Sequence, residues 1–163
     1  MLNLQELDLR QTSVSNLTPL KGLKALKDVS LSYADVTDLA PLADLVDLRH
    51  LNLAGLKVSD FTLLRAFKSL ATLNLSNTRI TDISPLEDLS QLEWLWLADT
   101  DVSCLASLKG LTHLTNLDLS GTAATDFSPL AGIKSLKTLN LSATRVADVA
   151  PFTGLGCSPQ VGV

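Results

Sequence analysis

Leucine recurs in this chain at a fixed interval of 22 residues, and this period restricts the possible fold more than any other feature. The recurring residues are Leu4, Leu26, Leu48, Leu70, Leu92, Leu114 and Leu136. Seven units of 22 residues thus tile residues 4–157. A unit this short cannot cover its own apolar side, so neighbouring units must cover it. The period predicts one elongated domain of stacked units over residues 1–157, with a tail at 158–163.

Two local patterns alternate within each unit, whose positions we number 1 to 22. Positions 1, 4, 6, 11, 14, 17 and 20 are apolar in all seven units. The apolar pair at positions 4 and 6 has the spacing of a strand. Because every unit runs in the same direction, we expect a parallel sheet.

A turn follows each predicted strand and carries residues that start helices. Asp or Asn stands at position 13 in six units, as Asn16, Asp38, Asp60, Asp82, Asp126 and Asp148. Proline follows three residues later in five units, as Pro19, Pro41, Pro85, Pro129 and Pro151. Asp is a good N-cap and proline is tolerated in a first turn. Each unit is therefore predicted to end in a short 3₁₀ or one-to-two-turn helix.

The unit at residues 70–91, LATLNLSNTRITDISPLEDLSQ, resembles a leucine-rich repeat. Its length and its D-[LIFV]-x-P-L segment are similar to the internalin-type repeats of bacterial surface proteins. They are also similar to the repeats of a eukaryotic phosphatase-regulating subunit. The resemblance implies an α/β fold, a right-handed solenoid bent into an arc or horseshoe. It implies a parallel β-sheet on the concave face and short 3₁₀ or α turns on the convex face.

The chain departs from the pattern of this family at position 9, where the family usually has an asparagine ladder. Threonine stands there in five units, as Thr12, Thr78, Thr100, Thr122 and Thr144. Ala34 and Leu56 interrupt the series. Threonine can still satisfy one backbone group, so we expect a thinner ladder, with looser turns at Ala34 and Leu56.

Both tryptophans of the chain fall in one predicted strand, at positions 3 and 5 of the fifth unit. Strand alternation places Trp94 and Trp96 on the same outward face, with Tyr33 on the rim of that face. The four phenylalanines occupy core positions instead: Phe61, Phe67, Phe127 and Phe152. Tryptophan is enriched at binding hot spots. An exposed pair on a recognition face therefore indicates a binding site.

The leading hypothesis is a non-enzymatic module that binds another protein on the concave sheet. Trp94 and Trp96 would be the anchors. The polar contacts would come from Tyr33, His50, Asn52, Asn74, Asn116 and Asp118. One alternative is carbohydrate binding, in which the indoles stack on sugar rings. Another is a structural spacer or truncated repeat segment of a larger protein.

Charge and hydropathy disfavour other classes of partner. The formal net charge is −4, and the acidic residues Asp28, Asp99, Asp101 and Asp118 surround the predicted face. This argues against a nucleic-acid partner. No apolar run approaches the roughly 18 residues of a membrane span, and no signal peptide is evident. The chain as written is expected to be cytoplasmic, or secreted or at the surface if a longer parent carries a signal.

The sequence predicts no catalytic residue, metal site or cofactor. His50 and His113 stand at distant positions of the unit and are not expected to meet. Cys104 and Cys157 are too few for a disulfide framework, and Cys104 is predicted to be a small, largely buried thiol. The first and last units lack polar caps. An end-to-end homodimer through those ends is therefore expected in concentrated solution.

Overall fold

The structure, a computed structural model, describes residues 3–148 and 150–152 and contains one open parallel sheet. Its seven strands are β1 Glu6–Asp8, β2 Asp28–Ser30, β3 His50–Asn52, β4 Thr72–Asn74, β5 Trp94–Trp96, β6 Asn116–Asp118 and β7 Thr138–Asn140. They pair in chain order, and each residue lies beside the one 22 places later. Leu73, Leu95 and Leu117 illustrate this register. The predicted sheet is confirmed.

A 3₁₀ helix follows each strand on the opposite side of the core. These helices are Thr18–Leu20, Ala40–Leu42, Thr62–Ala66, Ser84–Leu86, Ala106–Leu108, Ser128–Gly132 and Ala150–Phe152. Sheet and helices form the two sides of a right-handed solenoid, as predicted. In the part of the chain that the structure describes, no helix has the length and apolar character needed to cross a bilayer.

The core is a continuous column of leucine between the sheet and the 3₁₀ helices. The middle residue of each strand points into it, and Val29, Leu51, Leu73 and Leu95 are all buried. All four phenylalanines are buried there too, as predicted. Each unit covers the apolar side of its neighbour, so stability is shared along the stack.

The Asp and Asn residues at position 13 accept backbone hydrogen bonds, but they lie one place before the observed cap residue of the helix and are not the N-caps that were predicted. Asp82 Oδ1 accepts from the Ser84 N–H at 2.8 Å, whereas Ile83 is the cap residue of the 3₁₀ helix. The same bond occurs at Asn16, Asp38, Asp60, Asp126 and Asp148. The Ser84 N–H and hydroxyl also hold the pKa of Asp82 below its usual range. These residues form Asx turns that lead into the helices.

The threonine column at position 9 satisfies backbone carbonyls as predicted. The hydroxyls of Thr78, Thr100 and Thr122 are buried and each donates to the carbonyl three residues earlier at 2.7 Å. At the two interruptions the backbone N–H groups of Ala34 and Leu56 reach the equivalent carbonyls, at 3.0 and 3.3 Å. The expected looseness of these turns stays a prediction.

The end of the seventh unit lies partly outside the described residues. Residue 149 and residues 153–157, with Cys157, lie outside the described residues, and so does the predicted tail at 158–163. The division of the chain into a domain at 1–157 and a tail at 158–163 therefore stays a proposal.

Candidate functional site: the concave sheet face

The outward side chains of the strands form a surface that we call the concave face. It comprises positions 3 and 5 in each strand. Position 7, directly after the strand, contributes less, because Ser32, Ala54 and Ser76 are buried there, although Arg10 is exposed. In β5 the central Leu95 is buried, while Trp94 is exposed and Trp96 is half-buried. The in-register sheet stacks equivalent positions into columns, with neighbouring strands about 4.8 Å apart. The face is therefore a grid of side chains held by the sheet.

The two tryptophans meet each other on this face. Their ring centroids are 5.5 Å apart and their planes are tilted by 43°. Trp94 lies between Thr72 and Asn116 in the neighbouring strands, and 41% of its surface is exposed. The pair forms an exposed apolar patch surrounded by short polar side chains. Aromatic side chains with such a polar surround are the usual composition of binding hot spots.

The polar side chains at position 5 are partly engaged with their own backbone. Asn74 Oδ1 accepts from the Ser76 N–H at 2.9 Å, and Asn52 accepts from Ala54 at 3.1 Å. Asp118 Oδ1 accepts from both the N–H and the hydroxyl of Ser120, at 2.9 and 2.6 Å. These bonds orient the side chains. The bonded oxygens of Asn52 and Asn74 are occupied, so their amide NH₂ groups are what these residues offer as donors.

His50 lies in the middle of a row of three polar residues. Its Nδ1 is 2.9 Å from Thr72 Oγ1, and its Nε2 is 3.6 Å from Asp28 Oδ1. The backbone N–H groups of Asp28 and His50 already donate to the carbonyls of Gln5 and Lys27 in the preceding units. They therefore cannot form an oxyanion hole beside this row. The sequence analysis did not predict this hydrogen bond between His50 and Thr72, although both residues occupy position 3 in adjacent units.

A shallow cavity of about 610 Å³ runs across β1 to β5 on this face. Its lining includes Glu6, Asp28, His50, Asn74 and Trp96, so it connects the acidic first strands with Trp96.

Arg10 borders the same cavity and forms a close ion pair with Asp8. Their atoms approach to 2.7 Å between Nη2 and Oδ2, and to 3.0 Å between Nε and both carboxylate oxygens. The Arg10 guanidinium lowers the pKa of Asp8. The positive charge of Arg10 is therefore largely compensated within the chain.

Tyr33 lies on the rim of the face in a left-handed backbone conformation, with φ of +58°. Position 8 is left-handed in every unit, with φ between +53° and +71°. The Tyr33 ring lies over Gly55 in the next unit, where a Cβ atom would overlap it. Tyr33 is still 53% exposed, so its ring packs on Gly55 while the residue remains accessible to a partner.

Asn116 also lies on the concave face, and its Oδ1 accepts from the Thr115 hydroxyl at 2.8 Å.

His113 does not share the environment of His50. Its Nδ1 lies 2.9 Å from the Ser90 carbonyl. Among the described residues no group of three or more His, Cys, Asp or Glu side chains could hold a metal ion.

The prediction that Cys104 is largely buried is wrong. Cys104 is an exposed free thiol. It stands at position 13, where the other units have Asp or Asn side chains that face solvent while capping the turn. The burial tendency of cysteine is a property of the residue type, and here the outward direction of the turn overrides it.

Comparison with known proteins agrees with the repeat pattern and the solenoid. The family described as "Leucine Rich repeats (2 copies)" matches residues 46–88 and 68–106. The crystal structure of internalin C2 from Listeria monocytogenes is 30% identical, with a TM-score of 0.92 over 98% of this chain and 71% of that chain. The chain belongs to the leucine-rich-repeat proteins of the internalin type.

Other solved structures cover smaller parts of longer molecules. Listeria monocytogenes internalin InlF is 27% identical, with a TM-score of 0.90. The match covers 97% of this internalin-type chain and 47% of the InlF chain. A leucine-rich-repeat protein of Leptospira interrogans is 20% identical with a TM-score of 0.72, over 95% and 48% of the two chains. That likeness shows the fold alone. The comparison with curated sequences gives no match.

Membership of this family indicates what the scaffold does in general. Stacked repeats create an extended concave surface on which a solenoid binds other proteins. The internalin-type chain is therefore, in general terms, a protein-interaction module.

Proposed function

We propose that this chain is a non-enzymatic module that binds a partner protein on its concave face, with Trp94 and Trp96 as anchors. Tyr33, His50, Asn52, Asn74, Asn116 and Asp118 supply polar contacts around them. The observation that carries the proposal is the indole pair. Trp94 is 41% exposed and lies 5.5 Å from Trp96 on the face that the fold leaves open.

The rigidity of the surrounding grid supports this proposal. The strands hold Trp94 and Trp96 in register, and the side-chain bonds of Asn52, Asn74 and Asp118 fix their orientations. A surface that is already ordered loses little conformational entropy on binding.

The tilt of the indoles favours a protein over a carbohydrate. Planes inclined at 43° do not form one flat platform for a stacked sugar ring. They present two apolar faces of different orientation, which suits the irregular relief of a protein surface. Glycan binding is therefore the alternative outcome that the experiment must detect.

The test compares three immobilised baits in a host-matched lysate: wild type, Trp94→Ala/Trp96→Ala and Val46→Ala. Val46 is an apolar residue that is 50% exposed but lies outside the strands, so it is a matched control. We expect a protein that is retained by wild type and Val46→Ala and lost by the double variant. Equal circular dichroism spectra would show that the fold is unchanged.

Tryptophan fluorescence gives an independent readout with the purified partner. Trp94 and Trp96 are the two tryptophans of the sequence, so indole emission from this chain reports on the site alone. A blue shift on titration with a tryptophan-free partner fragment is expected. Identical protein lists for the three baits would contradict the proposal. Capture of a glycan in place of a protein, dependent on Trp94, would replace protein recognition with carbohydrate binding.

The end-to-end homodimer also stays a proposal. Within the described residues β1 is the first strand of the sheet, and Leu4 beside it is 39% exposed. Multi-angle light scattering over a hundredfold concentration series should show a rising mass. A constant monomer mass at the highest concentration would contradict the homodimer.

A further inference from the structure

Trp96 and Asp118 are direct neighbours on the concave face. They are register partners in β5 and β6, which places their side chains side by side at about the 4.8 Å strand spacing. Asp118 uses Oδ1 for both of its hydrogen bonds to Ser120. The second carboxylate oxygen, Oδ2, accepts neither of these bonds. An indole plane and a carboxylate oxygen with spare acceptor capacity thus lie beside each other.

An arginine side chain matches this arrangement. A guanidinium group is planar, stacks on an aromatic face and donates in a fixed fork to a carboxylate. Lysine offers a point charge without a plane, so it can satisfy the carboxylate but cannot stack in the same way.

The charge of the whole face favours a cationic partner. The columns contain four carboxylates (Glu6, Asp8, Asp28 and Asp118) and one guanidinium. That guanidinium, on Arg10, is held by Asp8 in the ion pair described above. Lys27, Arg49 and Lys137 each stand one residue before a strand, outside the columns, as does Glu93. The cavity lined by Glu6, Asp28 and Trp96 connects the acidic strands with Trp96, whose ring centroid lies 5.5 Å from that of Trp94.

We infer that the partner presents a positively charged segment whose arginine stacks on Trp96 and pairs with Asp118, with an adjacent apolar side chain on Trp94. This inference rests on the proposed protein recognition and adds the chemistry of the partner. Glu6 and Asp28 contribute by attracting further cations of the segment across the cavity, which raises the association rate.

The test is selection of a phage-displayed library of random twelve-residue peptides on the wild-type chain. Selected peptides are then measured against three variants: Trp94→Ala/Trp96→Ala, Asp118→Asn and Asp44→Asn. Asn at 118 keeps an oxygen for Ser120 while removing the charge. Asp44 is an exposed residue just after the second 3₁₀ helix, so Asp44→Asn is a matched change of charge away from the face.

We expect the peptides that depend on the tryptophans to be enriched in arginine. Their affinity should fall at least tenfold with Asp118→Asn and stay within about twofold with Asp44→Asn, since the loss of a charged partner at the contact is costly and a distant surface charge is screened. Replacing the peptide arginine with lysine should also weaken binding.

The outcomes separate this inference from the proposed function. Peptides that need Trp94 and Trp96 but carry no excess of arginine, or bind Asp118→Asn as tightly as wild type, would overturn the inference and leave protein recognition standing. Selected peptides that bind the tryptophan double variant unchanged, or a failure to select any peptide, would count against both.

Discussion

Replacing Leu95 with alanine is expected to lower the free energy of unfolding by about 3 kcal/mol. Leu95 is 1% exposed and lies between Leu73 and Leu117 in the neighbouring strands. The flanking units are held by the hydrogen bonds of the sheet, so they can close only partly around the missing methyl groups. The remaining cavity adds to the lost transfer free energy. Urea unfolding followed by circular dichroism measures the change.

Val46→Ala is the control for this substitution. Val46 is 50% exposed, so its truncation should change the unfolding free energy by no more than about 0.5 kcal/mol. A loss for Leu95→Ala no larger than that of the control would contradict the packing described here. Trp94 and Trp96 flank Leu95 in sequence and face the other way, so their fluorescence should report the same unfolding midpoint as circular dichroism if the stack unfolds as one unit.

The fold was predictable because one rule repeats seven times. A single short strand is a weak signal, but an apolar pair at positions 4 and 6 in seven units cannot be coincidence. Stacking makes each unit the environment of the next, so the local pattern also defines the long-range contacts. Strand alternation correctly placed Trp94 and Trp96 outward, and the apolar column at position 20 correctly placed Phe67 inward. The face of the candidate site therefore followed from the period.

The details of the site depend on side-chain geometry, which a period does not contain. Thr72 and His50 share position 3 in adjacent units, so their proximity was predictable. Their hydrogen bond depends on side-chain torsions and was not. For Cys104 the predicted burial was wrong for a different reason. The preference of cysteine for buried sites was given more weight than the outward direction of position 13.

A signal for the left-handed backbone at position 8 was present in the sequence but weak. Gly55, Asn77, Asp99 and Gly121 stand there, and these residue types tolerate positive φ. Tyr33, Gln11 and Ala143 do not share that preference, yet they adopt the same conformation. The repeating turn therefore overrides the preference of the individual residue, at a cost in strain.

Gly55→Ala should lower the free energy of unfolding by about 2 kcal/mol, combining left-handed strain with a clash against the Tyr33 ring. Gly22→Ala separates the two causes. Gly22 also has positive φ, at +82°, but a Cβ there would meet nothing within 4 Å. Its replacement should cost about 1 kcal/mol, the backbone contribution alone. Thermal and urea unfolding of both variants provide the comparison.

A double-mutant cycle then tests whether Tyr33 is the cause of the larger loss. With Tyr33→Ala in the background, Gly55→Ala should cost about as much as Gly22→Ala, so the coupling between Tyr33 and Gly55 should be about 1 kcal/mol. Strict additivity would mean that the ring does not lie over Gly55. If the coupling is found, Gly55→Ala must also displace the exposed ring from the rim of the concave face. Partner binding through Tyr33 should then weaken in a variant whose tryptophan pair is untouched.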